Sequence, residues 1–384
     1  MLRESKPMEF LLDPDVTFLN HGSFGACPRE VHEEYQRLQR ELETQPVRFL
    51  QRRLPDLLHE ARNALADYIG AENDEVVFVQ NPTFAVNTIA KSLELKADDE
   101  LLTSNHEYGA CMNAWRFMQE AAGFKIVHQT IELPVTSHEQ IVEQFWAGVT
   151  DRTRLISLSQ ITSPTALTLP VKEICRRAKE RGILTIIDGA HVPGQLDLNV
   201  KDVGADFYTG ACHKWLCSAK GASFLYASRE KQPLVKPLVV GWGWGDVQRQ
   251  FDSGSEFQDN HQWLGTHDPA AYLTVPKAIQ FQRDHDWPTV QKRCRTLAEQ
   301  AVELLSELPN IERVHPNEFF LQMGLVEIPA STEPKRLKQQ LLDEYNVEVP
   351  VIAWQDHMFV RISIQAYNTE ANVERLVEAF RNLL

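Results

Sequence analysis

The chain has 384 residues, of which 43 % are hydrophobic and 24 % are charged. This composition is typical of globular proteins and not of disordered chains, and the length predicts two or three domains. The 39 basic and 53 acidic side chains give a formal net charge of −14, which argues against general binding to nucleic acids or to anionic membrane surfaces.

The N-terminal segment and the cysteines bear on cellular location. The segment MLRESKPMEFLLDPDV lacks the apolar run of a signal peptide, and no apolar stretch is long enough to predict a membrane-spanning helix. The six cysteines are sparse and form no CxxC pair. We therefore expect free thiols and a reducing, cytoplasmic location.

Short apolar strands alternate with amphipathic helices from residue 54 to residue 228. The helices are predicted at residues 54–70, 81–93, 108–123 and 170–182, and the strands at 75–80, 100–104, 124–131, 153–161, 183–188, 205–210 and 222–228. This alternation predicts an α/β fold with a mainly parallel sheet that is covered on both faces.

The pattern changes near residue 229, where a segment rich in proline and glycine predicts an irregular loop. Beyond it we predict a helix over 275–308 that is interrupted near Pro288, strands near 311–314, 320–328, 347–353 and 357–364, and helices over 334–345 and from 369. The hairpin-like spacing of these strands predicts a smaller α+β domain.

Polar residues follow several predicted strands, at the edge where open α/β sheets bind ligands. Asn81, Thr83 and Phe84 open a helix whose N–H groups and hydroxyl can hold an anion such as a phosphate, although a simple N-cap would use the same residues. His106 follows another strand, and a lone histidine at a helix entry has either a structural or a binding role.

Asp188 and Lys214 are harder to explain as structural residues. Asp188 ends an apolar run, where a carboxylate needs either a core arginine or a ligand as its partner. Lys214 lies between two strands, and a buried lysine suits Schiff-base chemistry because its pKa is lowered. An anion site, an acid, a lysine and a histidine in this order are what pyridoxal 5′-phosphate (PLP) requires.

Segments spread over nearly the whole chain carry a family resemblance: LNHGSFGACP, NPTFAVNT, NHEYGA, SPTALTLPV, IDGAHVPGQ, TGACHKWLCSAKGASFLY, GTHDPAAY and VRISIQAYNT. With them the sequence resembles the class V aminotransferase family of PLP-dependent enzymes, of fold type I, and most closely its isopenicillin N epimerase-like branch. The resemblance implies a mainly parallel, seven-stranded sheet covered by helices, with a smaller α+β C-terminal domain. The implied domain limits are 1–35 for an N-terminal segment packing with the small domain, 36–274 for the large PLP-binding domain and 275–384 for the small domain.

The resemblance also implies roles for individual residues around the cofactor. Lys214 would bind it as a Schiff base, Asp188 would pair with its pyridine nitrogen, and His106 would stack on its ring and act in catalysis, with Tyr108 as the alternative. The remaining cofactor-binding residues would be Thr83, Phe84, Ser163, His191 and His213, together with Thr266 from the neighbouring subunit of a homodimer with shared active sites.

On the substrate side, Arg361 would bind the α-carboxylate of an amino acid, and Asn20 and His21 would close the site. Two departures from the family pattern matter. Ala211 stands where relatives often carry Asn or Ser near the phosphate. No cysteine follows Cys294, so we do not expect a desulfurase that forms a persulfide on a mobile loop before Arg361.

Three reactions stay open, because all begin with removal of the proton on Cα: epimerisation, β-elimination of a sulfur leaving group (as in C–S lyases and sulfoxide lyases) and transamination. Two other classes of protein are weaker alternatives. One is a PLP-binding protein without turnover. The other is a metal hydrolase, which the 13 scattered histidines do not favour because they form no HxxxH or HxH pattern.

Overall fold

In the computed structural model, residues 8–245 and 253–384 are described. The strands in this part of the chain are β1 Thr17–Phe18, β2 Val76–Val79, β3 Glu100–Ser104, β4 Lys125–Gln129, β5 Thr153–Ser159, β6 Leu184–Asp188, β7 Phe207–Ala211, β8 Ser223–Ala227, β9 Glu312–Arg313, β10 Met323–Ile328, β11 Val347–Glu348, β12 Val351–Trp354 and β13 His357–Ser363. The α-helices are α1 His21–Phe24, α2 Arg29–Thr44, α3 Leu54–Ile69, α4 Pro82–Ser92, α5 Gly109–Ala122, α6 His138–Trp146, α7 Val171–Glu180, α8 Val200–Val203, α9 Glu256–Gln262, α10 Ala270–Leu273, α11 Val275–Asp284, α12 Trp287–Ser306, α13 Pro334–Tyr345 and α14 Glu370–Leu383.

The central sheet has seven strands in the order β2-β8-β7-β6-β5-β3-β4. Only β8 runs against the others, since it pairs antiparallel with both β2 and β7, while the β7-β6-β5-β3-β4 pairs are parallel. This confirms the predicted α/β class and the mainly parallel, seven-stranded sheet. The register aligns Ser159 with Asp188 and Asp188 with Thr209, so the carboxyl ends of β5, β6 and β7 meet at one edge.

The strands are apolar on both faces because helices cover both faces. In β2, Val76 and Phe78 join one hydrophobic core while Val77 and Val79 join the other. The same division recurs in β7, where Phe207 faces the helices α4 and α5. Burial on both sides explains why these strands appear in the sequence as continuous apolar runs rather than as alternating ones.

The C-terminal part forms a separate antiparallel sheet in the order β12-β13-β10-β9. The N-terminal segment joins this region through β1, which pairs in parallel with β11, and through a bridge between Asn20 and Ser363. The domain limits stay a prediction; α2 is continuous across residue 35, and α11 begins at residue 275.

The predicted elements agree with the structure in their cores and differ at a few boundaries. The break predicted near Pro288 lies between α11 and α12, at His285 and Asp286, and Pro288 occupies the first turn of α12, where a missing N–H costs nothing. The strand predicted over 347–353 is split into β11 and β12 around Pro350, which cannot donate to a ladder. The helices α2 and α6 were not among the predicted elements. None of the helices within the described ranges is both long and apolar enough to cross a membrane.

Candidate active site

A cavity of about 650 Å³ opens at the carboxyl edge of the central sheet. Side chains from loops after β2, β3, β5, β6 and β7 converge on it, together with two residues of α1. Its lining consists of Ser23, Phe24, Gln80, Asn81, Pro82, Thr83, Tyr108, Ser159, Ile161, Ser163, Asp188, Ala190, His191, His213, Lys214, Lys220 and Gly221. Half of the residues assigned from the sequence therefore line one cavity: Thr83, Ser163, Asp188, His191, His213 and Lys214.

Lys214 lies in a turn just after β7, and this turn is packed closely from behind. A β-carbon at Gly25, which has a φ of 71°, would collide with the carbonyl oxygen of His213 and the Cα of Lys214. The GSFG segment therefore needs glycine there to approach the lysine turn. Burial, with Arg361 nearby, lowers the pKa of Lys214 to about 8, so an uncharged amine is accessible near neutral pH.

His191 lies between Lys214 and Trp215. Its Nε2 is 3.2 Å from the Nζ of Lys214, and its Nδ1 accepts a hydrogen bond of 3.2 Å from the indole Nε1 of Trp215. Burial and the neighbouring Lys214 keep the pKa of His191 well below its usual value. The imidazole is therefore neutral at physiological pH.

Asp188, the last residue of β6, presents a buried carboxylate to the cavity. Its Oδ1 accepts from the Ala190 N–H at 2.9 Å, and its Oδ2 accepts from the Cys111 thiol at 3.4 Å. Burial raises the pKa of this carboxyl, while Lys214 opposes the shift. Since these are its two donors among the described residues, the carboxylate has lone pairs left for a cationic N–H of a ligand.

The helix α4 points its N-terminus at the cavity, but the predicted contacts there are only partly available. Thr83 lines the cavity, as do His213 and Lys220. The Phe84 N–H instead donates to the side chain of Asn81 at 2.9 Å, and Phe84 is not among the lining residues. The N-cap uses that donor in this structure, and the assignment of the Phe84 amide to an anion stays a prediction.

Arg361 lies directly behind the lining residues and is only 3 % exposed. Its Nη1 donates to the carbonyl oxygen of Ser163 at 2.6 Å and to the Ser163 hydroxyl at 3.1 Å, and its Nη2 donates to the hydroxyl of Ser23 at 3.2 Å. Its Nε has no partner in the described part of the chain. No carboxylate of the described residues forms an ion pair with it, and burial lowers its pKa to about 10.

His106, predicted as the stacking and catalytic residue, is not a lining residue of the cavity, and its role stays a prediction. His106 is fully buried, with Nδ1 bonded to the Thr165 hydroxyl and Nε2 to the Ile131 carbonyl, both at 2.9 Å, and its ring stacks on Trp354. Both ring nitrogens are thus used inside the protein. Tyr108, the alternative, lines the cavity and is 47 % exposed.

Asn20 and His21 also differ from their predicted place on the substrate side. His21 is buried, with Nε2 bonded to the Lys214 carbonyl and Nδ1 to the Tyr367 hydroxyl, both at 3.1 Å; burial lowers its pKa to about 3. Asn20 donates to Glu348 at 3.0 Å and accepts from Ser23 at 2.5 Å. Neither lines the cavity; they support Lys214 and Ser23 from behind.

Thr266 lies in an exposed bend after α9 and is not a lining residue of this chain's own cavity. Its assignment to the neighbouring subunit's site stays a prediction. Ala211 is fully buried at the end of β7 and does not line the cavity either.

Sequence reasoning missed Glu107, which lies beside Asp188. Glu107 accepts from Ser104 at 2.5 Å and from the N–H and hydroxyl of Ser159 at 2.9 and 2.6 Å. Burial and the nearby Asp188 raise its pKa to about 7. The sequence signal for Glu107 is its position after a strand, which it shares with the other polar residues of the site.

These residues fit PLP on chemical grounds. The cavity combines a lysine amine with a lowered pKa, a buried carboxylate that still has free lone pairs, and a hydroxyl, an imidazole and an ammonium group around the N-terminus of a helix. These are the groups that an aldehyde, a pyridine nitrogen and a phosphate require. In the described ranges no group of three or more His, Cys, Asp or Glu side chains is arranged to hold a metal ion.

Comparison with known proteins gives the family. The profile described as Aminotransferase class-V matches residues 23–376. The isopenicillin N epimerase of Amycolatopsis lactamdurans is 36 % identical, over 97 % of this chain and 96 % of its own length. The hercynylcysteine sulfoxide lyase of Schizosaccharomyces pombe is 24 % identical, over 97 % and 95 %. A variant of the C–S lyase C-DES, with glycine linked covalently to its PLP cofactor, superimposes with a TM-score of 0.85 at 17 % identity, over 96 % of this chain and 97 % of that one. The chain belongs to the class V aminotransferase family and is a PLP-dependent enzyme.

Proposed function

We propose that this enzyme epimerises the Cα of an amino acid, or of a small molecule that contains one. The observation that carries the amino-acid substrate is the buried Arg361, which has an unpartnered Nε and no ion-paired carboxylate among the described residues. A buried guanidinium without an anion is costly, and a substrate carboxylate supplies the missing charge. The lining residues Ser23 and Ser163 already contact Arg361, so a ligand in the cavity can reach it.

When bound, PLP withdraws electrons from Cα and so acidifies its proton. The residues of this chain have complementary tasks. We assign the covalent attachment to Lys214, the pairing with the pyridine nitrogen to Asp188, and contacts near the phenolic oxygen to His191 and Ser163. Thr83 and His213 would hold the phosphate, and the ammonium of Lys220, which also lines the cavity, would add a positive charge there.

Epimerisation needs proton transfer at Cα from two sides. Along the sheet edge, Lys214 follows β7, Asp188 ends β6, Ser159 ends β5 and Tyr108 follows β3. Lys214 and Tyr108 therefore flank Asp188 from opposite directions, and both line the cavity. In the proposed reaction one of these two groups takes the Cα proton and the other returns one to the opposite side. The similarity to isopenicillin N epimerases over nearly the full length supports this reaction.

The alternative is β-elimination from a sulfur-containing amino acid, which the similarity to a sulfoxide lyase and to L-cysteine desulfhydrase-like proteins favours. That reaction needs proton removal by Lys214 from one side only. Transamination is a further alternative, and it differs in that the amino group of the substrate is transferred to an amino acceptor.

Incubation in D2O with a panel of amino acids, cysteine conjugates and peptide-linked amino acids separates these reactions. The proposal predicts deuterium at Cα together with inversion of configuration, measured by chiral chromatography and mass spectrometry. Release of a 2-oxo acid with a sulfur product would instead identify the lyase, and a 2-oxo acid formed only with an amino acceptor would identify the aminotransferase. No turnover of any member of the panel would contradict the proposed substrate class.

The variant Tyr108→Phe sharpens this test. Without the phenol, exchange of the Cα proton through Lys214 should continue with retention of configuration, while inversion falls by at least tenfold. The matched control is Tyr345→Phe, at the end of α13, which should behave as the wild type. Equal rates of inversion in Tyr108→Phe and the wild type would mean that Lys214 transfers the proton on both sides of Cα.

Assembly, location and domain organisation complete the proposal. We propose a homodimer in which Thr266 of each subunit reaches the other subunit's phosphate site; the exposure of Thr266 supports this. A cytoplasmic location is supported by the six free cysteines. The domain limits 1–35, 36–274 and 275–384 are proposed with these assignments.

A further inference from the structure

Trp215 controls which nitrogen of His191 carries the proton. The indole Nε1 of Trp215 is 3.2 Å from the Nδ1 of His191. An indole N–H can only donate, so Nδ1 must accept and has no proton of its own. A neutral imidazole carries one proton, and in His191 that proton is therefore on Nε2.

This tautomer fixes the direction of the next hydrogen bond. The Nε2 of His191 is 3.2 Å from the Nζ of Lys214. Since Nε2 is the donor, Nζ must accept, and only an uncharged amine has the lone pair to do so. An uncharged amine is also the form that adds to an aldehyde carbonyl and expels water.

We propose that Trp215 is a positioning residue, which holds His191 as an Nε2–H donor so that Lys214 is kept as a free-base nucleophile. The inference goes beyond the choice of reaction, because every candidate reaction begins at Lys214.

Trp215 is itself rigidly held, as this role requires. It is fully buried, its carbonyl accepts from Gln282 at 2.9 Å, and its ring packs on His21 with centroids 4.8 Å apart. A β-carbon at Gly194 would collide with the Trp215 carbonyl, so the loop after His191 approaches Trp215 as closely as glycine allows. The indole N–H therefore has a fixed direction toward His191.

Other charged groups also act on Lys214 and must be separated from this effect. Arg361 from β13 lowers the pKa of Lys214, whereas Asp188 from β6 and Cys111 from α5 raise it. Arg361, His21 and His213 also contribute to lowering the pKa of His191. None of these groups contacts the indole N–H, so a change at Trp215 leaves their charges in place.

Trp215→Phe is the direct test, because it keeps an aromatic ring and removes the N–H. His191 can then move its proton to Nδ1 and accept at Nε2 from a charged Lys214. We expect the apparent pKa of Lys214 in enzyme freed of cofactor, measured by the pH dependence of its labelling with an amine reagent, to rise from about 8 by roughly one unit, which is a tenfold change in the proton-binding equilibrium. Capture of added PLP at pH 7.5 should slow accordingly. The pH at which the visible band of the loaded enzyme titrates should move in the same direction.

Trp287→Phe is the matched control. Trp287 is also buried and donates through its indole N–H, at 2.9 Å, to the carbonyl of Gly194, which Gln291 also contacts at 2.8 Å. This variant likewise replaces a buried indole by a phenyl ring and removes one indole N–H hydrogen bond. It should nevertheless leave the pKa of Lys214 unchanged. Equal shifts in both variants, or none in Trp215→Phe, would overturn the proposal.

Two further measurements test the same proposal, and the first of them stays decisive if Trp215→Phe does not fold. Long-range ¹H–¹⁵N spectra of histidine-labelled wild-type enzyme, with His191→Gln used to assign the signal, should show a proton on Nε2 and none on Nδ1; the opposite tautomer would overturn the proposal. In His191→Gln the amide can donate to Lys214 without help from the indole, so adding Trp215→Phe to this background should have no further effect on Lys214. A full additional shift would mean that Trp215 acts by another route.

Discussion

The Nη1 of Arg361 donates to the carbonyl oxygen of Ser163 across 2.6 Å. This bond joins a strand of the C-terminal sheet to the loop that follows β5, and so it crosses the region where the substrate carboxylate is proposed to bind. A carboxylate is a stronger acceptor for a guanidinium than a carbonyl is. Substrate binding should therefore take Arg361 away from Ser163 and draw the two parts of the molecule around the ligand.

Arg361→Ala should lose amino-acid binding while PLP stays bound. If the pair is desolvated, the loss should be roughly 2–5 kcal/mol, and Arg361→Lys should restore only part of it because the two-pronged geometry is absent. Titration of amino acids against the visible spectrum measures this directly. Arg293→Ala, which also removes an arginine that donates to backbone carbonyls, is the control and should bind normally. Unchanged affinity in Arg361→Ala would place the carboxylate elsewhere.

Asp188→Asn should impair turnover far more than cofactor binding. The amide can still accept from the Ala190 N–H, but it no longer offers a negative charge to a protonated pyridine nitrogen. Loss of a buried charged partner costs about 3–5 kcal/mol, so kcat should fall by at least a hundredfold. Asp206→Asn is the control, since Asp206 accepts from the Thr185 N–H at 2.8 Å at the opposite end of the strands. Near-normal kcat in Asp188→Asn would leave Asp188 with a structural role.

Glu107 predicts a measurable dependence of stability on pH. Its pKa is raised from 4.5 to about 7 in the folded protein, so between these values the folded state holds a proton that the unfolded state has released. The free energy of unfolding should therefore fall as pH rises from about 4.5 to 7, by on the order of 3 kcal/mol from this group, and level off above.

Glu107→Gln should remove this slope, because an amide cannot ionise but can accept from the Ser159 N–H and donate to Ser104. We expect the variant to match the wild type near pH 4.5 and to be more stable at pH 8, measured by chemical denaturation of the cofactor-free enzyme. Glu94→Gln should act in the opposite direction, since contact with Lys236 lowers the pKa of Glu94. A variant that is less stable than wild type at pH 8 would show that the Glu107 carboxylate is ionised and needed.

His21→Ala should destabilise the fold rather than weaken substrate binding. The substitution removes the His21 partner of the Tyr367 hydroxyl and one of two donors to the Lys214 carbonyl, which still accepts from the Cys217 N–H at 3.0 Å. A buried unsatisfied group costs about 1–3 kcal/mol. Denaturant unfolding should show this loss, while amino-acid affinity changes little. A large rise in KM with normal stability would instead indicate that His21 takes part in substrate binding.

Much of the site could be predicted because its residues follow strands. Asp188 and Lys214 come directly after apolar runs, and parallel strands bring their carboxyl ends to one edge, so local pattern and topology agree. The helices α2 and α6 were missed although both are amphipathic, so the periodic signal for them is present in the sequence.

One physical cause keeps His106 and His21 out of the cavity lining. His106 and Tyr108 lie two residues apart, and the sequence cannot indicate which of them turns outward; the partners Thr165, Ile131 and Trp354, all distant in sequence, draw His106 inward. His21 is held in the same way by Lys214 and Tyr367.

The sequence by itself determined the α/β class, the family, the cofactor and the positions of Lys214, Asp188 and Arg361 in the chain, because these follow from local patterns and spaced motifs. Only the tertiary structure decided which side chains reach the cavity, which nitrogen of His191 donates, and that Arg361 lies buried without an ion-paired carboxylate among the described residues. Those properties depend on contacts between segments up to 338 residues apart, such as that between Ser23 and Arg361. The direction of a hydrogen bond and the desolvation of a charge arise only when such segments are packed together.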